Sequence, residues 1–314
     1  MNTFFLDRLN SEPHALAFAG QSTPWPVALA DQSANPALDE ALHTHAAAAQ
    51  ALLYPVSAEL LATTGRPVDL FGFEPNPARL GAAAAASASV PGIALTQLGA
   101  LLDAAALGYN PAQAKPVVVL GHSQGVLAVH MVQAICEAGS IDAAAAKIDE
   151  ILAIATLIGV AGTRQARQLG LAARHGEATP MLSVKDITRA QVDALIERVD
   201  GARGPIAVAV TNSATHYVLS GYPEDLAAFG VEVAKEHKRQ AKLREEKVRG
   251  GRVFGPTLEY LDVTLPFHSP LMADAVSQAV AWAEACGINA DHARELAAEV
   301  LLNHVDWAAR VKTM

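Results

Sequence analysis

The segment Gly121–Gly125 (GHSQG) has the pattern G-x-S-x-G, in which a serine lies on a sharp turn between a strand and a helix. The β-branched run Pro116–Leu120 before it predicts a buried strand, and the apolar segment Val126–Glu137 after it predicts a helix. The N-terminus of that helix would bring partial positive charge to the turn. We therefore expect Ser123 to be a nucleophile and the backbone N–H of Gln124 to bind a developing oxyanion. The alternative is an ordinary serine in a glycine-bounded turn.

A serine nucleophile needs a base that accepts its proton, and histidine is the side chain best suited to this near neutral pH. The chain has 11 histidines, of which His268 stands out because it follows a predicted strand and lies between Pro266 and Pro270. Such a position favours a loop side chain with a fixed orientation, although a histidine that merely supports the turn is the alternative. In the expected turn His122 would point away from the serine, and His130 would pack along the following helix.

The elements around these residues indicate a mixed α/β fold. Strands and helices of the first half are predicted at 14–20 (strand), 35–53 (helix), 92–107 (helix), 116–120 (strand), 126–137 (helix) and 143–158 (helix). From Met181 the predicted order is strand 181–186, helix 188–199, strands 205–211 and 217–220, helix 223–246 and strand 258–265. This is the βαββαβ order of ferredoxin-like folds. We expect a small α+β subdomain inserted in a larger α/β one.

The composition limits the class of protein. The 314 residues are 51% hydrophobic and 18% charged, which is typical of a folded chain with a sizeable core and unlike a disordered one. A net charge of −9 argues against nucleic-acid binding through bulk charge. The two cysteines, Cys136 and Cys286, are expected to pack inside apolar helices. No zinc, P-loop or dinucleotide-binding pattern is present, so no metal or permanently bound cofactor is predicted.

Neither a membrane span nor a signal peptide is predicted. The longest uncharged stretch, Leu80–Leu102, is rich in alanine, glycine and serine and contains Pro91 and Gln97, which favours a loop and a buried helix. Near the N-terminus, Asp7 and Arg8 interrupt the apolar run that a signal peptide would need. We therefore expect a cytoplasmic protein.

Four groups of residues occur in the order found in one family: Phe18–Gln21, Gly121–Gly125, Asn212 within TNSATHYVLSG, and Pro266–Pro270. In these groups the chain resembles the acyl-CoA:acyl-carrier-protein acyltransferases. It is similar in particular to the N-terminal acetyltransferase domain of fungal-type and bacterial type I fatty acid synthases. Further likeness to that subgroup lies in Thr179–Asp186, Lys247–Gly251 and Val305–Trp307. The resemblance covers nearly the whole chain.

The resemblance implies an α/β-hydrolase-like core with an inserted ferredoxin-like (βαββαβ) subdomain. Residues 1–177 would form the first part of the large subdomain, 178–266 the small subdomain, and 267–314 the return to the large one. Members of the family continue beyond the Val-Asp-Trp region, so the chain is expected to be an incomplete domain or a fragment of a larger synthase.

The resemblance also implies roles for individual residues. Ser123 would be the nucleophile and His268 the general base of a Ser-His dyad. Backbone N–H groups of Gln21 and Gln124 would form the oxyanion hole, and Asn212 would support the acyl pocket. Backbone carbonyls of the Asn303–Asp306 stretch, at Asn303 and Asp306, would orient the histidine in place of a carboxylate.

One departure from the family pattern concerns the oxyanion hole. The usual Gly-Gln-Gly appears here as Gly20-Gln21-Ser22. The Cβ of Ser22 at a tight turn affects where the Gln21 amide would lie.

The acyl group that the resemblance implies is small and apolar. Members selective for malonyl carry an arginine that pairs with the malonyl carboxylate, and Ile158 aligns with that position. We expect acetyl-CoA as donor and the phosphopantetheine thiol of an acyl carrier protein as acceptor, with other domains of a type I synthase as partners and neither nucleic acid nor membrane. One alternative is that Ile158 is a core residue and Arg164 or Arg167 reaches the pocket instead. A malonyl/palmitoyl transferase of the same family is an alternative activity. A serine thioesterase or hydrolase, and a catalytically silent synthase segment, also stay open.

A basic segment, residues 235–252, holds eight Lys/Arg and three Glu. It would dock CoA phosphates or an acidic carrier protein, or it would be a solvated helix and linker. The second interpretation is favoured, because runs of charge are usually solvated.

Overall fold

The computed structural model describes residues 8–20, 24–69, 85–171, 178–245 and 255–313. The chain divides into two compact units. Unit 1 comprises Met1–Arg164 and Asp274–Val300, and unit 2 comprises Gln165–Ala273 and Leu301–Met314.

Unit 1 contains two parallel strands, β1 (Ala15–Phe18) and β2 (Val118–Gly121), with Phe18 paired to Gly121. Its first helices are α1 Trp25–Ser33, α2 Pro36–Leu52, α3 Ser57–Thr64, α4 Ala86–Ala106, α5 Pro111–Ala114 and α6 Val126–Ala138. Helix α7 (Ala145–Gln168) continues into unit 2, and α10 (Ala273–Ala285) and α11 (Ala290–Leu301) return to unit 1. The predicted start of α2 is present: Pro36 is its first residue, and the Asn35 side chain accepts from the backbone N–H of Ala37 at 3.2 Å.

The predicted buried helix around Pro91 is α4, which runs through the proline without a break. It is long and apolar enough to cross a membrane, but 72% of its apolar window is buried inside the structure. Burial on this scale is what the core helix of a folded domain shows.

Unit 2 is built on a five-stranded sheet. Its elements follow in the order β3 Met181–Lys185, α8 Arg189–Ile196, β4 Ala207–Ser213, β5 His216–Ser220, α9 Pro223–Glu245, β6 Thr257–Tyr260, β7 Val305–Asp306 and α12 Trp307–Lys312. The sheet order is β6-β3-β5-β4-β7, in which β7 is parallel to β4 and the other neighbours are antiparallel. Strand, helix, strand, strand, helix and strand therefore follow in the predicted sequence.

One face of this sheet packs on α8 and α9. The buried apolar cluster there includes Leu182 and Val184 from β3, Val192 from α8, Leu219 from β5 and Phe229 from α9. These side chains alternate along the strands and recur at helical spacing along the helices, which is why the pattern in the sequence located the elements. Burial of a large apolar side chain contributes about 1.5–3 kcal/mol, so this cluster fixes the sheet that positions the residues at its ends.

Candidate active site

Ser123 lies on the turn between β2 and α6. The strand ends at Gly121, a single 3-10 turn covers Ser123–Gly125, and the helix begins at Val126. The φ angle of Ser123 is +53°, in the left-handed region that a residue with a Cβ rarely adopts. Such a backbone costs about 1–3 kcal/mol and persists only where the surroundings impose it. A strained serine between a strand and a helix is the geometry of a nucleophile elbow.

The flanking glycines are required by close backbone contacts. A Cβ on Gly121 would meet the backbone N of Val126, and a Cβ on Gly125 would meet the carbonyl oxygen of Phe18. The same Phe18 carbonyl accepts a hydrogen bond from the backbone N–H of His122 at 2.9 Å. The turn is thus pressed against the end of β1, and no side chain fits on either side of it.

The chain after β1 runs beside the nucleophile. A Cβ on Gly20 would lie 3.0 Å from the Cβ of Ser123 and 3.3 Å from the backbone N of Gln124. Gln124 is buried, and its backbone N–H belongs to the turn that leads into α6. Gln21, the second predicted oxyanion residue, and Ser22 after it lie outside the described residues.

His268 is buried and has a φ of +56°, also in the left-handed region. Its Nδ1 lies 2.8 Å from the carbonyl oxygen of Asn303. Because a carbonyl only accepts, Nδ1 carries the hydrogen, and in the neutral ring Nε2 is the atom that can accept a proton. This is the tautomer that a general base requires.

The residue after His268 anchors it to the end of α11. The backbone N–H of Ser269 donates to the carbonyl of Leu301 at 3.1 Å. The buried Ser269 hydroxyl accepts from the backbone N–H of Leu271 at 3.3 Å, at the start of the short turn Pro270–Met272. The predicted fixed orientation between two prolines thus has a physical basis in these bonds.

Asp306, the other residue predicted to orient His268, lies where unit 2 returns to its sheet. Its backbone belongs to β7, opposite Thr211 of β4, and its carboxylate accepts from the backbone N–H of Ala309 at 2.9 Å as the cap of α12. Within the described residues, the carbonyl that meets Nδ1 of His268 is that of Asn303.

Asn212 lies on β4 and belongs to a short polar chain. Its Nδ2 is 3.5 Å from Nε2 of His216, and the same Nε2 is 3.1 Å from the hydroxyl of the buried Ser183. Sequence reasoning missed His216 and Ser183. Only the pairing of β3 with β5 brings these residues together, although His216 stands in the same TNSATHYVLSG segment as Asn212.

Ile158 is fully buried in α7. The surrounding stretch 151–162 is buried throughout and holds no charged residue, and its Thr156 hydroxyl donates to the Leu152 carbonyl at 3.0 Å. One turn further on, Arg164 Nη1 donates to Gln278 Oε1 at 2.6 Å. The Arg164 guanidinium also lies 5.9 Å from the ring centroid of Trp282. This arginine therefore has partners on α10.

In the described part of the basic segment, Lys235 and Arg239 form ion pairs with acidic residues of the same helix, α9. The carboxylate of Glu236, which is buried, accepts hydrogen bonds from Arg239, Gln240 and Arg198. These bonds, that from Arg239 above all, lower the pKa of Glu236 to about 2. Lys235 pairs with Glu232 at 2.6 Å. Residues 246–252, like the 247–251 motif, lie outside the described residues.

The other candidate groups have structural contacts. His130 packs on His292, with ring centroids 5.4 Å apart, and burial together with the His292 ring lowers its pKa. Cys136, expected in the interior, is exposed, and Cys286 is half-buried. Across the described residues, no group of three or more His, Cys, Asp or Glu side chains is arranged to hold a metal ion.

Comparisons with known proteins find similarity to fatty acid synthases in sequence and to acyltransferases in fold. Residues 180–260 match the family model for the fatty acid synthase central AT domain. The chain is 26% identical over 209 residues to fatty acid synthase subunit beta of Schizosaccharomyces pombe, a match that covers 60% of this chain and 10% of that protein. It is 27% identical over 179 residues to fatty acid synthase beta subunit hexB of Dothistroma septosporum, covering 52% and 9%. The chain thus spans about a tenth of the length of these relatives.

Solved structures share the fold. The malonyl CoA-acyl carrier protein transacylase (fabD) of Coxiella burnetii superposes with a TM-score of 0.58 at 17% identity, covering 96% of this chain and 83% of that one. The acyltransferase domain from the second module of the salinomycin polyketide synthase gives 0.55 at 18%, covering 96% and 60%. At these identities the likeness establishes an α/β acyltransferase fold. In sequence the chain is thus similar to fatty acid synthase beta subunits, and in fold it is similar to acyl carrier protein transacylases.

Proposed function

We propose that the chain transfers an acetyl group, or another small apolar acyl group, from CoA to the phosphopantetheine thiol of an acyl carrier protein and so primes fatty acid synthesis. The observation that carries this proposal is the strained turn at Ser123, closed by two glycines that admit no side chain. The proposed partners are the carrier protein and other domains of a synthase, in the cytoplasm. Acetyl-CoA is the proposed acyl donor and the phosphopantetheine of the carrier protein is the acceptor, with no permanently bound cofactor.

In the proposed reaction Ser123 and His268 act as a dyad. Oγ of Ser123 attacks the thioester carbonyl carbon while Nε2 of His268 takes its proton. The backbone N–H groups of Gln124 and Gln21 stabilise the oxyanion of the tetrahedral intermediate. The intermediate collapses to the acyl-serine, and His268 returns the proton to the departing CoA sulfur. The carrier thiol then gives up its proton to His268 and its sulfur attacks the acyl-serine carbonyl. When this second intermediate collapses, His268 returns the proton to Ser123 Oγ, which leaves as the free hydroxyl.

The hydrogen bond from His268 to the Asn303 carbonyl supports a dyad without a carboxylate. It holds the ring in the reactive tautomer, and the carbonyl dipole faces the positive charge that the imidazolium acquires. An aspartate is therefore not needed to orient this base.

The uncharged helix around Ile158 supports the preference for acetyl. A malonyl carboxylate buried without a cation costs about 3–5 kcal/mol, which corresponds to a selectivity of roughly 10²–10³ or more. The bond between Arg164 and Gln278 argues against the use of that arginine for the carboxylate. The alternative is malonyl transfer, the activity named for several of the solved structures that share this fold.

We also propose that residues 178–266 form a ferredoxin-like subdomain inserted in an α/β-hydrolase-like core formed by 1–177 and 267–314. The βαββαβ order and the strand order β6-β3-β5-β4 support this proposal, because a ferredoxin-like sheet has the same arrangement. At the end of β4, Asn212 is proposed to support the acyl pocket, held by its contact with His216.

One labelling experiment tests the proposed reaction against its rivals. Radiolabelled acetyl-CoA is incubated with the protein, and label is measured on the protein, on added carrier thiol and as free acetate. Transfer predicts label on the first two, a thioesterase or hydrolase predicts free acetate, and a silent synthase segment predicts none. The variant Ser123→Ala should lower transfer roughly 10⁵–10⁶-fold, whereas the control Ser57→Ala, at the exposed start of α3, should not. Full labelling of Ser123→Ala would contradict the proposal.

A further inference from the structure

We propose that His304 is a positioning residue that holds the Asn303 carbonyl against Nδ1 of His268. This inference rests on the proposed role of His268 as the base. It concerns only unit 2, which contains all the residues involved.

The His304 ring is bound to β4 through both of its nitrogens. Nδ1 lies 2.8 Å from the carbonyl oxygen of Val208, and Nε2 lies 3.2 Å from the hydroxyl of Thr211. The carbonyl can only accept, so Nδ1 donates to it. In the neutral ring Nε2 then accepts from the threonine hydroxyl. A protonated ring could donate to the same hydroxyl, so the contact survives in either protonation state.

This attachment acts directly on the carbonyl that orients His268. The Asn303 carbonyl belongs to the peptide bond between Asn303 and His304. That peptide is planar, so its carbonyl oxygen and the Cα of His304 move as one rigid group. Because the His304 side chain is held at two points on β4, the Asn303–His304 peptide plane, and with it the Asn303 carbonyl, is restricted in rotation.

Among the described residues, backbone hydrogen bonds hold the chain on both sides of the Asn303–His304 peptide. Before it, the Leu301 carbonyl accepts from the backbone N–H of Ser269. After it, Val305 pairs with Val210 of β4. These bonds fix the two flanks of Leu302–His304, but neither of them sets the orientation of the Asn303 carbonyl. The His304 ring supplies the restraint at the right place.

A purely structural interpretation makes a different prediction. His304 is exposed, and its two hydrogen bonds could simply attach the C-terminal segment to the sheet. In that case their loss would lower stability but leave the geometry of His268 unchanged. A test must therefore read the His268 hydrogen bond itself.

The test uses three variants of the full chain. Thr211→Val removes one hydroxyl while keeping a β-branched side chain in the strand. His304→Ala removes both bonds, and His304→Gln can restore a donor and an acceptor. The first readout is water exchange of the His268 Nδ1 proton in ¹⁵N-histidine-labelled protein, identified by its absence in His268→Gln. The second is the division of the effect on acetyl transfer between kcat and KM.

We expect His304→Ala to exchange the His268 Nδ1 proton roughly tenfold faster and to lower kcat roughly tenfold, because small misplacements of a reacting group are costly. KM for acetyl-CoA should not change. Thr211→Val should show a smaller change in the same direction, and His304→Gln should recover most of the loss. The control His43→Ala, at an exposed histidine of α2, should leave both readouts unchanged.

The inference would be overturned if His304→Ala left both the exchange of the His268 Nδ1 proton and kcat unchanged. This holds even if the variant unfolds at a lower temperature, because a purely structural role predicts that result. If His304→Ala does not fold, Thr211→Val decides by the same criteria. Proton exchange does not depend on acyl transfer, so failure of the proposed function appears separately, as transfer retained in Ser123→Ala or His268→Gln.

Discussion

The carbonyl oxygen of Phe18 occupies the space that a side chain on Gly125 would need. The backbone at the end of β1 and the backbone of the nucleophile turn are therefore in direct contact. The turn cannot move away without breaking the bond from His122 to the same carbonyl. The conformation of the turn therefore depends on the position of β1, and a substitution at Gly125 tests this dependence.

Gly125→Ala should damage both the fold and the reactivity of Ser123. The added methyl meets backbone that cannot yield like a flexible side chain, so we expect a loss of about 1–3 kcal/mol in the free energy of unfolding, together with slower acylation of Ser123. Gly230→Ala in α9 is the control, since its Cβ would come no nearer than 3.6 Å to Leu258. It should keep full acylation and gain up to about 1 kcal/mol from helix propensity. Urea unfolding and acyl-enzyme formation measure both effects, and wild-type behaviour of Gly125→Ala would contradict the steric argument.

Ser123→Gly and Ser123→Ala should both abolish transfer but differ in stability. The φ of +53° is strained for alanine and unstrained for glycine. Glycine also gives the unfolded chain more freedom, which offsets part of this gain. We expect the glycine variant to be more stable than the alanine variant by an amount on the order of 1 kcal/mol, measured by thermal unfolding. Equal stability would mean that the turn relaxes when the hydroxyl is removed.

The acetyl preference should depend on Ile158. In the wild-type chain, kcat/KM for acetyl-CoA should exceed that for malonyl-CoA by roughly 10²–10³. Ile158→Arg should narrow this ratio by supplying a cation, and the volume-conserving control Ile158→Leu should keep it. Because a charge at this buried position threatens folding, circular dichroism must first show that the arginine variant is folded. Faster malonyl transfer by the wild-type chain would contradict the assignment outright.

Unit 2 should lose stability in acid through Glu236. The pKa of this carboxyl in the folded chain is lowered to about 2, chiefly by Arg239, so its stabilisation is fully present above its ordinary pKa of 4.5 and is lost as the pH falls towards 2. Both paired arginines are about half exposed, so we expect about 1–2 kcal/mol. Urea unfolding at pH 7 and pH 3 should show Glu236→Gln destabilised at pH 7, with a smaller deficit at pH 3. The exposed control Glu224→Gln should show no such trend, and a constant deficit would exclude this linkage.

The parts of the fold that were predictable from the sequence are those encoded by local patterns. The turn at Ser123 follows from a β-branched run, two glycines and an apolar helix, all within about 20 residues. The strand and helix order of unit 2 follows from changes in hydrophobic period after Met181. Strand β6 ends at Tyr260 and is shorter than its alternating pattern predicts. The Leu261 N–H still bonds to the carbonyl of Met181 in β3, but the Val263 N–H then bonds back to the Leu261 carbonyl and turns the chain out of the sheet.

The rest depended on contacts between distant residues. Strand β7 has only two residues and therefore no hydrophobic alternation that could predict it. It forms by parallel pairing with β4. The bond from His268 to the Asn303 carbonyl joins residues that lie 35 positions apart in the sequence. The contact of Ser183 with His216 arises from the register of β3 on β5, and the exposure of Cys136 from the face that α6 turns outwards. The spacing of neighbouring residues along the sequence predicts none of these contacts.

The left-handed backbone at Ser123 has a consequence for directed evolution. A library selected for stability alone would be rewarded at this position for accepting glycine, which adopts this backbone without strain. At His268, whose backbone is also left-handed, glycine would remove the hydrogen bond to the Asn303 carbonyl, which opposes the gain. The proposed nucleophile would therefore be lost more readily than the proposed base. Thermostable descendants of this chain should be selected on acyl transfer as well as on melting temperature.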